Sequence, residues 1–265
     1  MIRSNSEGDI YIEEMPLLLV HLREEEKGAD ARLSEVLSYA LDGYAYETAT
    51  EISAFEDYVN RWRRLEKTQN RKNPVQGRIL FAVPLGTSGI NLELYRLIRF
   101  LREHPDFLNG FVGGLLVDSE NDLYSKSAAK DLVFAANCAG CAFVGRPLVE
   151  GTRTLSNYTI VSNNLGTDLM GAYRESAAGL VKEVLGTDCV RKKCPKVLVL
   201  HASSHKTSNT YAIWNRVKEQ LPEMEIREIG LRNGTLSDCA GCPYKMCLHF
   251  GEQGSCFYGG VMVED

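Results

Sequence analysis

Four cysteines near the end of the chain have types and spacing that could hold a metal. They are Cys239, Cys242, Cys247 and Cys256. Thiolates are soft ligands, and four of them in one short segment can enclose a zinc ion or an iron–sulfur cluster. The spacing by itself does not choose between these, and unligated thiols or a redox pair are a third interpretation. In a zinc site, His249 could replace one of the cysteines.

A hydroxyl-rich segment upstream of the cysteines has the chemistry of an anion-binding loop. It covers residues 203–209, between an apolar run at 196–202 and a helical pattern at about 210–220. Such a loop offers phosphate the free backbone N–H groups of a helix start, the positive end of the helix dipole and short hydroxyls.

The loop composition narrows the kind of phosphate. The segment lacks the glycines of a nucleotide-triphosphate or dinucleotide site, so a single phosphomonoester fits better. Lys206 or His205 would add positive charge. The alternative interpretation is an ordinary capped loop, in which Ser208 or Asn209 satisfies the start of the helix.

The string at residues 202–210, ASSHKTSNT, resembles the G-S-x-R-x-x-G-N-T loop of the flavodoxin-like NAD(P)H-dependent FMN reductases. In that family the loop holds the phosphate of FMN. A histidine stands here where the family usually has arginine, and a serine replaces the last glycine. The resemblance implies that the FMN contacts come from Ser203, His205, Lys206, Ser208, Asn209 and Thr210.

The cysteine segment is similar to a motif of the iron–sulfur flavoproteins, which are relatives of the FMN reductases. In those proteins a compact cysteine motif follows the second strand and binds a [4Fe–4S] cluster beside FMN, although its gaps after the second and third cysteines are shorter than here. The resemblance covers about residues 196–265. It implies an iron–sulfur cluster on Cys239, Cys242, Cys247 and Cys256, with zinc as the alternative.

Elements that could position these residues follow from the hydrophobic pattern. Apolar or β-branched runs predict five strands, each separated from the next by a helical length. The predicted strands cover 16–20, 44–50, 78–85, 111–119 and 141–145. This alternation is typical of a doubly wound parallel sheet with helices on both faces, so we expect an α/β, flavodoxin-like first domain.

Three domain-level segments are predicted. Residues 1–161 form the flavodoxin-like domain, 162–195 a helix and linker, and 196–265 the N-terminal half of an FMN reductase-like domain with the cysteine loop. This last segment has two predicted strands, at 196–202 and 224–231, and a flavodoxin-like sheet needs about three more. We therefore expect an incomplete second unit. Either the chain is part of a longer protein, or the first domain or a second copy completes the sheet.

Several other segments could contact ligands. Cys138 and Cys141 have redox-type spacing, but the alanines around them favour buried packing. The acidic run at 117–126 is interpreted as a solvated loop. Arg146 and Glu150 follow the fifth predicted strand and are candidates for substrate contact at the carboxyl ends of the strands.

Charge and composition exclude several classes of protein. The chain has 265 residues with 30 Lys and Arg against 35 Asp and Glu, a net charge of −5, which argues against a nucleic-acid partner. It has no signal-peptide pattern and no run near the roughly 18 apolar residues of a membrane helix. We therefore expect a cytoplasmic protein without a membrane partner. In a reducing compartment, its eight cysteines predict ligands or redox thiols rather than disulfides.

The resemblance to the FMN reductases and iron–sulfur flavoproteins implies a flavin-dependent oxidoreductase or electron-transfer protein. It would use FMN, an iron–sulfur cluster, and NAD(P)H or another electron donor, and we expect it to form a homo-oligomer. The alternative is a non-enzymatic zinc-binding or scaffold module that acts through a protein partner. No residue stands out as a proton donor.

Overall fold

The computed structural model of the protein describes residues 2–4, 10–12, 15–21, 23, 27–68, 76–188, 196–202, 208–231 and 241–257. The contacts within the chain divide it into two units, Met1–Cys189 and Val190–Asp265. Among the described residues, no helix is both long enough and apolar enough to cross a membrane.

The first unit is built on a five-stranded parallel sheet. Its strands are β3 (Leu17–His21), β4 (Tyr46–Ala49), β5 (Gly77–Leu85), β6 (Phe111–Ser119) and β7 (Ala142–Gly151), after a short antiparallel pair of β1 (Ile2–Ser4) and β2 (Ile10–Ile12). The order across the sheet is β4-β3-β5-β6-β7, with every neighbouring pair parallel. This is the 2-1-3-4-5 order of a flavodoxin-like fold, as the alternation of strands and helices predicts.

Helices cover both faces of this sheet. They are α1 (Lys27–Ala40), α2 (Ile52–Thr68), α3 (Leu92–Glu103), α4 (Ser125–Cys138), α5 (Thr159–Leu165) and α6 (Leu169–Gly186), with a 3-10 turn at Ser156–Tyr158. Alternate residues of β3 face opposite ways. Leu18 packs with residues of α2, α3 and α4, whereas Leu19 packs with residues of α1 and α6. The continuous apolar strands of the sequence reflect this double burial.

A glycine in the middle of β6 lets α6 lie directly on the sheet. A Cβ atom on Gly114 would lie 2.7 Å from Val184 Cγ2 and 2.9 Å from Leu180 Cδ1. Because real Cβ contacts are essentially never that short, a side chain at this position would push the helix away. Helix α6 is thereby part of the core of the first unit, although the sequence places it in a connecting segment.

The end of α6 is fixed by an arginine from β5. Arg78 donates from Nη1 to the carbonyl oxygens of Val184, at 3.0 Å, and Thr187, and from Nη2 to Asp188 Oδ1 at 3.0 Å. These carbonyls belong to the last turn of the helix, where no backbone donor is available. The positive guanidinium also complements the negative end of the helix dipole.

Strand β7 is longer and less regular than predicted. Gly113 pairs with Phe143 and Leu115 pairs with Leu148, so residues 144–147 lie opposite Gly114 alone. The strand resumes after this bulge and ends at Gly151. The prediction that it ends at residue 145 was wrong, because Gly145, Arg146 and Pro147 of the bulge have the composition of a loop.

Helix α2 begins one residue before a serine. Ser53 has the residue type of an N-cap, but α2 begins at Ile52, one residue earlier. The hydroxyl of Ser53 lies 3.5 Å from Glu51 Oε2, and the N–H of Phe55 bonds to the carbonyl oxygen of Glu51. Ser53 therefore lies within the first turn of α2 and is not its N-cap.

The second unit contains a two-stranded parallel sheet. Strands β8 (Lys196–His201) and β9 (Glu225–Gly230) pair in regular register and are connected by α7 (Asn209–Lys218); α8 (Tyr244–Gly251) follows. None of the described residues of this unit is buried. On β8 the exposed fraction alternates, and Leu198 and Leu200 are 59% and 57% exposed.

Candidate functional site

The predicted anion-binding loop lies between β8 and α7. Ser203, His205 and Lys206 lie outside the described residues. Ser208 is the N-cap of α7, and its hydroxyl oxygen accepts a hydrogen bond from the N–H of Tyr211 at 3.3 Å.

Asn209 and Thr210 form the first turn of α7, and both are exposed. Their backbone N–H groups are the first two of the helix, and such groups have no acceptor within the helix itself. These two N–H groups and the positive end of the helix dipole therefore lie at the same place.

Contacts with β9 fix the orientation of α7. Tyr211 donates from its hydroxyl to Glu228 Oε2 at 3.4 Å, and Lys218 donates from Nζ to Glu228 Oε1. The hydrogen bond from Lys218 lowers the pKa of Glu228. At the end of β8, the ring of His201 lies 4.9 Å from the ring of Tyr211. The first and last turns of α7 are thus both held against the sheet.

Three of the four predicted ligand cysteines lie around α8. Cys242 precedes the helix and is half-buried, Cys247 is exposed within it, and Cys256 is exposed after it. Cys239 lies outside the described residues. None of the three described thiols is in a disulfide.

The described residues do not by themselves form a metal site. Among them, no three His, Cys, Asp or Glu side chains lie close enough together to hold a metal ion. His249 contacts aromatic and amide groups: its ring lies 5.1 Å from that of Phe250, and Gln253 Nε2 lies 3.3 Å from its Nε2.

The carboxyl edge of the first sheet holds an ion pair that the sequence did not reveal. Asp118 at the end of β6 is completely buried, and it accepts hydrogen bonds from Nε and Nη2 of Arg32 in α1. Burial raises the pKa of the Asp118 carboxyl, and the bonds from Arg32 oppose that rise. The interpretation of residues 117–126 as a solvated loop was therefore wrong at Asp118. The position of this residue near the end of an apolar strand was the sequence signal for its burial.

Arg32 also binds the backbone of two loops. Nη2 donates to the carbonyl oxygen of Ser119 at 3.0 Å, and Nη1 donates to that of Arg153 at 3.1 Å. One side chain from α1 thus connects the end of β6 with the segment that follows β7.

A buried tyrosine lies beside this ion pair. Tyr173 of α6 has no exposed surface, and within the described residues its hydroxyl makes no hydrogen bond of normal geometry. Burial raises the pKa of Tyr173 well above its ordinary value, and the adjacent Asp118 carboxylate adds to the rise. A Cβ on Gly151 would lie 2.7 Å from the Tyr173 ring and 2.8 Å from Asp118 Oδ2. The glycine at the end of β7 therefore makes room for both groups.

Hydrogen bonds connect the three loops at this edge. Asn121 donates from Nδ2 to the carbonyl oxygen of Thr87 at 3.1 Å. Asp122 Oδ1 accepts from the backbone N–H of Thr154 at 3.2 Å and from its hydroxyl at 2.9 Å. These bonds, the backbone one first, lower the pKa of Asp122. The loops after β5, β6 and β7 are thus held in one arrangement.

Strand β3 ends in a second pair of titratable side chains. His21, the last residue of β3, is 7% exposed, and its Nε2 lies 2.8 Å from Asp30 Oδ1 in α1. Burial lowers the pKa of His21, although Asp30 opposes the change.

The remaining sequence candidates lie in different settings. Cys141 is buried, and a Cβ on Gly113 would lie 3.0 Å from its Sγ, so this cysteine packs against the sheet; Cys138 is exposed. Arg146 is exposed within the β7 bulge rather than at the carboxyl edge. Glu150 does lie near that edge, where it accepts a hydrogen bond from the hydroxyl of Ser125.

Comparisons with family models and curated proteins identify no relative of this chain. No protein-family model matches the chain, and no curated protein matches it either.

Proposed function

We propose that this chain is a flavin-dependent oxidoreductase or electron-transfer protein that binds FMN through its second unit. The observation that carries the proposal is the passage from β8 through a hydroxyl-rich loop into α7, in a sequence that resembles the FMN reductase phosphate loop. NAD(P)H or another electron donor would reduce the flavin.

The groups at the start of α7 fit a phosphate monoester. The hydroxyl of Ser208 uses a lone pair to accept from Tyr211, so its proton can still be donated to an anion. The N–H groups of Asn209 and Thr210 precede that capped position and belong to exposed residues. Ser203, His205 and Lys206 would add a hydroxyl and positive charge from the loop.

The thiols of the cysteine segment are suitable ligands for a soft metal ion or an iron–sulfur cluster. Cys242, Cys247 and Cys256 are free thiols on accessible positions around one short helix. With Cys239 they would supply four thiolates to an iron–sulfur cluster of the [4Fe–4S] type, with zinc as the alternative occupant. The support for iron over zinc is the sequence resemblance.

Bound FMN would supply hydride and single-electron transfer. In this proposal the chain anchors the FMN phosphate at the start of α7 and supplies four thiolates, which must remain reduced. That requirement, with the cysteine-rich composition, favours the cytoplasm as the compartment.

Anaerobic purification of the full chain tests the flavin assignment. We expect a yellow or brown protein that releases FMN on denaturation. Thr210→Val should weaken FMN binding, since it removes an exposed hydroxyl beside the phosphate without disturbing the Ser208 cap. Thr48→Val, an exposed threonine on β4, is the matched control. A colourless protein that does not bind added FMN would refute the flavin assignment.

Elemental analysis of the same preparation separates the two metal interpretations. Iron with sulfide, lost in Cys242→Ser but retained in Cys138→Ser, is the expected result. Zinc in a colourless protein would instead favour the non-enzymatic module. An unchanged metal content in Cys242→Ser would show that the ligand assignment is wrong.

A further inference from the structure

Glu228 on β9 contacts one face of α7 along most of its length. Its Oε2 accepts a hydrogen bond from the hydroxyl of Tyr211 at 3.4 Å, and its Oε1 accepts one from Nζ of Lys218. Trp214 lies between these two residues on the same face, since positions three, four and seven apart share one side of a helix. The bond from Lys218 lowers the pKa of Glu228, and Trp214 and Tyr211 act in the same direction.

The burial of α7 agrees with this orientation. Tyr211 and Trp214 are half-buried, whereas every other residue of the helix is exposed. The apolar side chain of Ile213 is 64% exposed, so it does not lie against the sheet. The side chain of Glu228 is only 17% exposed. In the described part of the second unit, α7 therefore meets β9 through Glu228 and two half-buried aromatic side chains.

Tyr211 connects this contact to the start of the helix. Its side chain reaches Glu228, and its backbone N–H donates to the hydroxyl of the N-cap residue Ser208 at 3.3 Å. The N–H groups of Asn209 and Thr210, which precede it, are those that the proposed function assigns to the FMN phosphate. A displacement of Tyr211 therefore moves the cap and both N–H groups. Hydrogen bonds to the phosphate would weaken, because they depend steeply on distance and angle.

We infer that Glu228 is the positioning residue of the anion site and sets its affinity for FMN, acting through Tyr211 rather than on the phosphate itself. The inference rests on the proposed function for the identity of the ligand. It also fixes the sign of the effect. By charge alone, a carboxylate in this unit weakens the binding of an anion. Glu228 instead strengthens it, because the position of α7 depends on its contacts.

Two substitutions at Glu228 separate the effect of position from that of charge. Glu228→Ala removes the contacts and the negative charge, whereas Glu228→Gln removes the same charge but keeps the shape and one acceptor oxygen. We measure the FMN affinity of the full chain by the quenching of flavin fluorescence. The affinity should fall about tenfold in Glu228→Ala and clearly less in Glu228→Gln. Charge alone predicts that both variants bind FMN equally, and more tightly than the wild type.

Glu225→Ala is the matched control. Glu225 lies on the same strand and also pairs with a lysine, but its partner is Lys196 of β8, at 2.9 Å, and not a residue of α7. The substitution changes the net charge by the same amount and leaves the contacts of α7 in place. Its FMN affinity should therefore stay within about twofold of the wild-type value.

Tryptophan fluorescence measures the position of α7 in the flavin-free chain. The protein has two tryptophans, and Trp62 is 3% exposed in the core of the first unit. A change of emission caused by a substitution on β9 therefore reports on Trp214. Glu228→Ala should shift the emission to longer wavelength, because Trp214 becomes more exposed to water. Glu225→Ala should leave the emission unchanged.

The two measurements distinguish failure of this inference from failure of the proposed function. A wild-type chain that binds no FMN would refute the proposed function, and the emission of Trp214 would then still decide whether Glu228 positions α7. The inference is overturned if Glu228→Ala binds FMN as tightly as the wild type or more tightly. An unchanged emission in Glu228→Ala, or an equal loss of FMN affinity in Glu225→Ala, would overturn it as well.

Discussion

Arg32 and Asp118 form an ion pair in which the carboxylate is fully buried and the guanidinium is partly exposed. Nε of Arg32 lies 3.1 and 3.0 Å from the two carboxylate oxygens, and Nη2 lies 2.8 Å from Oδ1. Because the same guanidinium also binds the backbone of two loops, the pair joins α1 to the carboxyl edge of the sheet.

Arg32→Met should strongly destabilise the first unit. It would leave Asp118 buried without its partner, a change that costs about 3–5 kcal/mol. Arg99→Met is the matched control, since Arg99 pairs with Glu103 on the exposed surface of α3 and such a pair contributes little to stability. Urea unfolding measures both. Equal losses in the two variants would contradict the assigned role of Arg32.

The loss in Arg32→Met should also depend on pH. Burial already raises the pKa of Asp118 above its ordinary value of 3.8, and removing the guanidinium raises it further. Between the pKa values of Asp118 in the unfolded and the folded state, the folded variant holds a proton that the unfolded chain releases. The stability of the variant therefore falls as the pH rises through this range. Unfolding at pH 4.5 and 7.5 should show the smaller penalty at the lower pH; a penalty independent of pH would argue against a buried carboxyl.

His21 gives a pH dependence of opposite sign. Its pKa is lowered in the folded state, so the unfolded chain binds the proton more readily between that pKa and 6.5. The stability contribution is therefore full above pH 6.5 and is lost as the pH falls through the folded-state pKa. His21→Gln should flatten the stability curve between pH 7.5 and 5.5. A curve as steep as that of the wild type would exclude His21 as its source.

Gly114→Ala should separate α6 from the sheet. The added Cβ would meet Val184 Cγ2 at 2.7 Å, and overpacking of this kind costs about 1–3 kcal/mol. Gly179 is exposed on α6, and a Cβ atom added there would have nothing within 4 Å. Gly179→Ala should therefore stabilise the fold by about 0.5–1 kcal/mol. In thermal unfolding we expect Gly114→Ala to lower the stability and Gly179→Ala to raise it. A Gly114→Ala variant with unchanged stability would show that the helix can shift without cost.

Asn91→Ala should cost more than the loss of an exposed helix cap. Asn91 is 1% exposed, donates from Nδ2 to the carbonyl oxygen of Pro84 at 2.8 Å, and accepts from the N–H of Leu94 at 2.9 Å. Losing this cap leaves buried groups without a partner, which should lower the free energy of unfolding by about 2 kcal/mol or more. Asp168→Ala removes the exposed cap of α6 and should cost about 1 kcal/mol. A smaller loss at Asn91 than at Asp168 would contradict this ranking.

The fold of the first unit could be predicted because its three central strands, β3, β5 and β6, are apolar and buried over nearly their whole length. The run at 111–119 is completely buried and matches β6 residue for residue. Strand β7 could not be predicted beyond residue 145, because it lies at the border of the sheet and its bulge is partly exposed. The sequence pattern reports burial, so it fails where a strand is only half covered.

The candidate site could be predicted in part. The hydroxyl-rich loop and the cysteine spacing identify segments with suitable chemistry, and the structure places Ser208 at a helix start. The contact between Arg32 and Asp118 could not be predicted from the sequence. The two residues are 86 positions apart, and only the folded chain brings them together. Short-range patterns carry no information on such a contact.

The bulge in β7 has a consequence for how this protein meets other chains. A strand from a neighbouring molecule that approached this border would find its row of hydrogen-bonding groups interrupted at residues 144–147. At the opposite border, β4 offers a row of four residues, Tyr46–Ala49. Interrupted and very short border strands are common protection against edge-to-edge aggregation. The first unit is therefore poorly suited to growth by strand addition at either side.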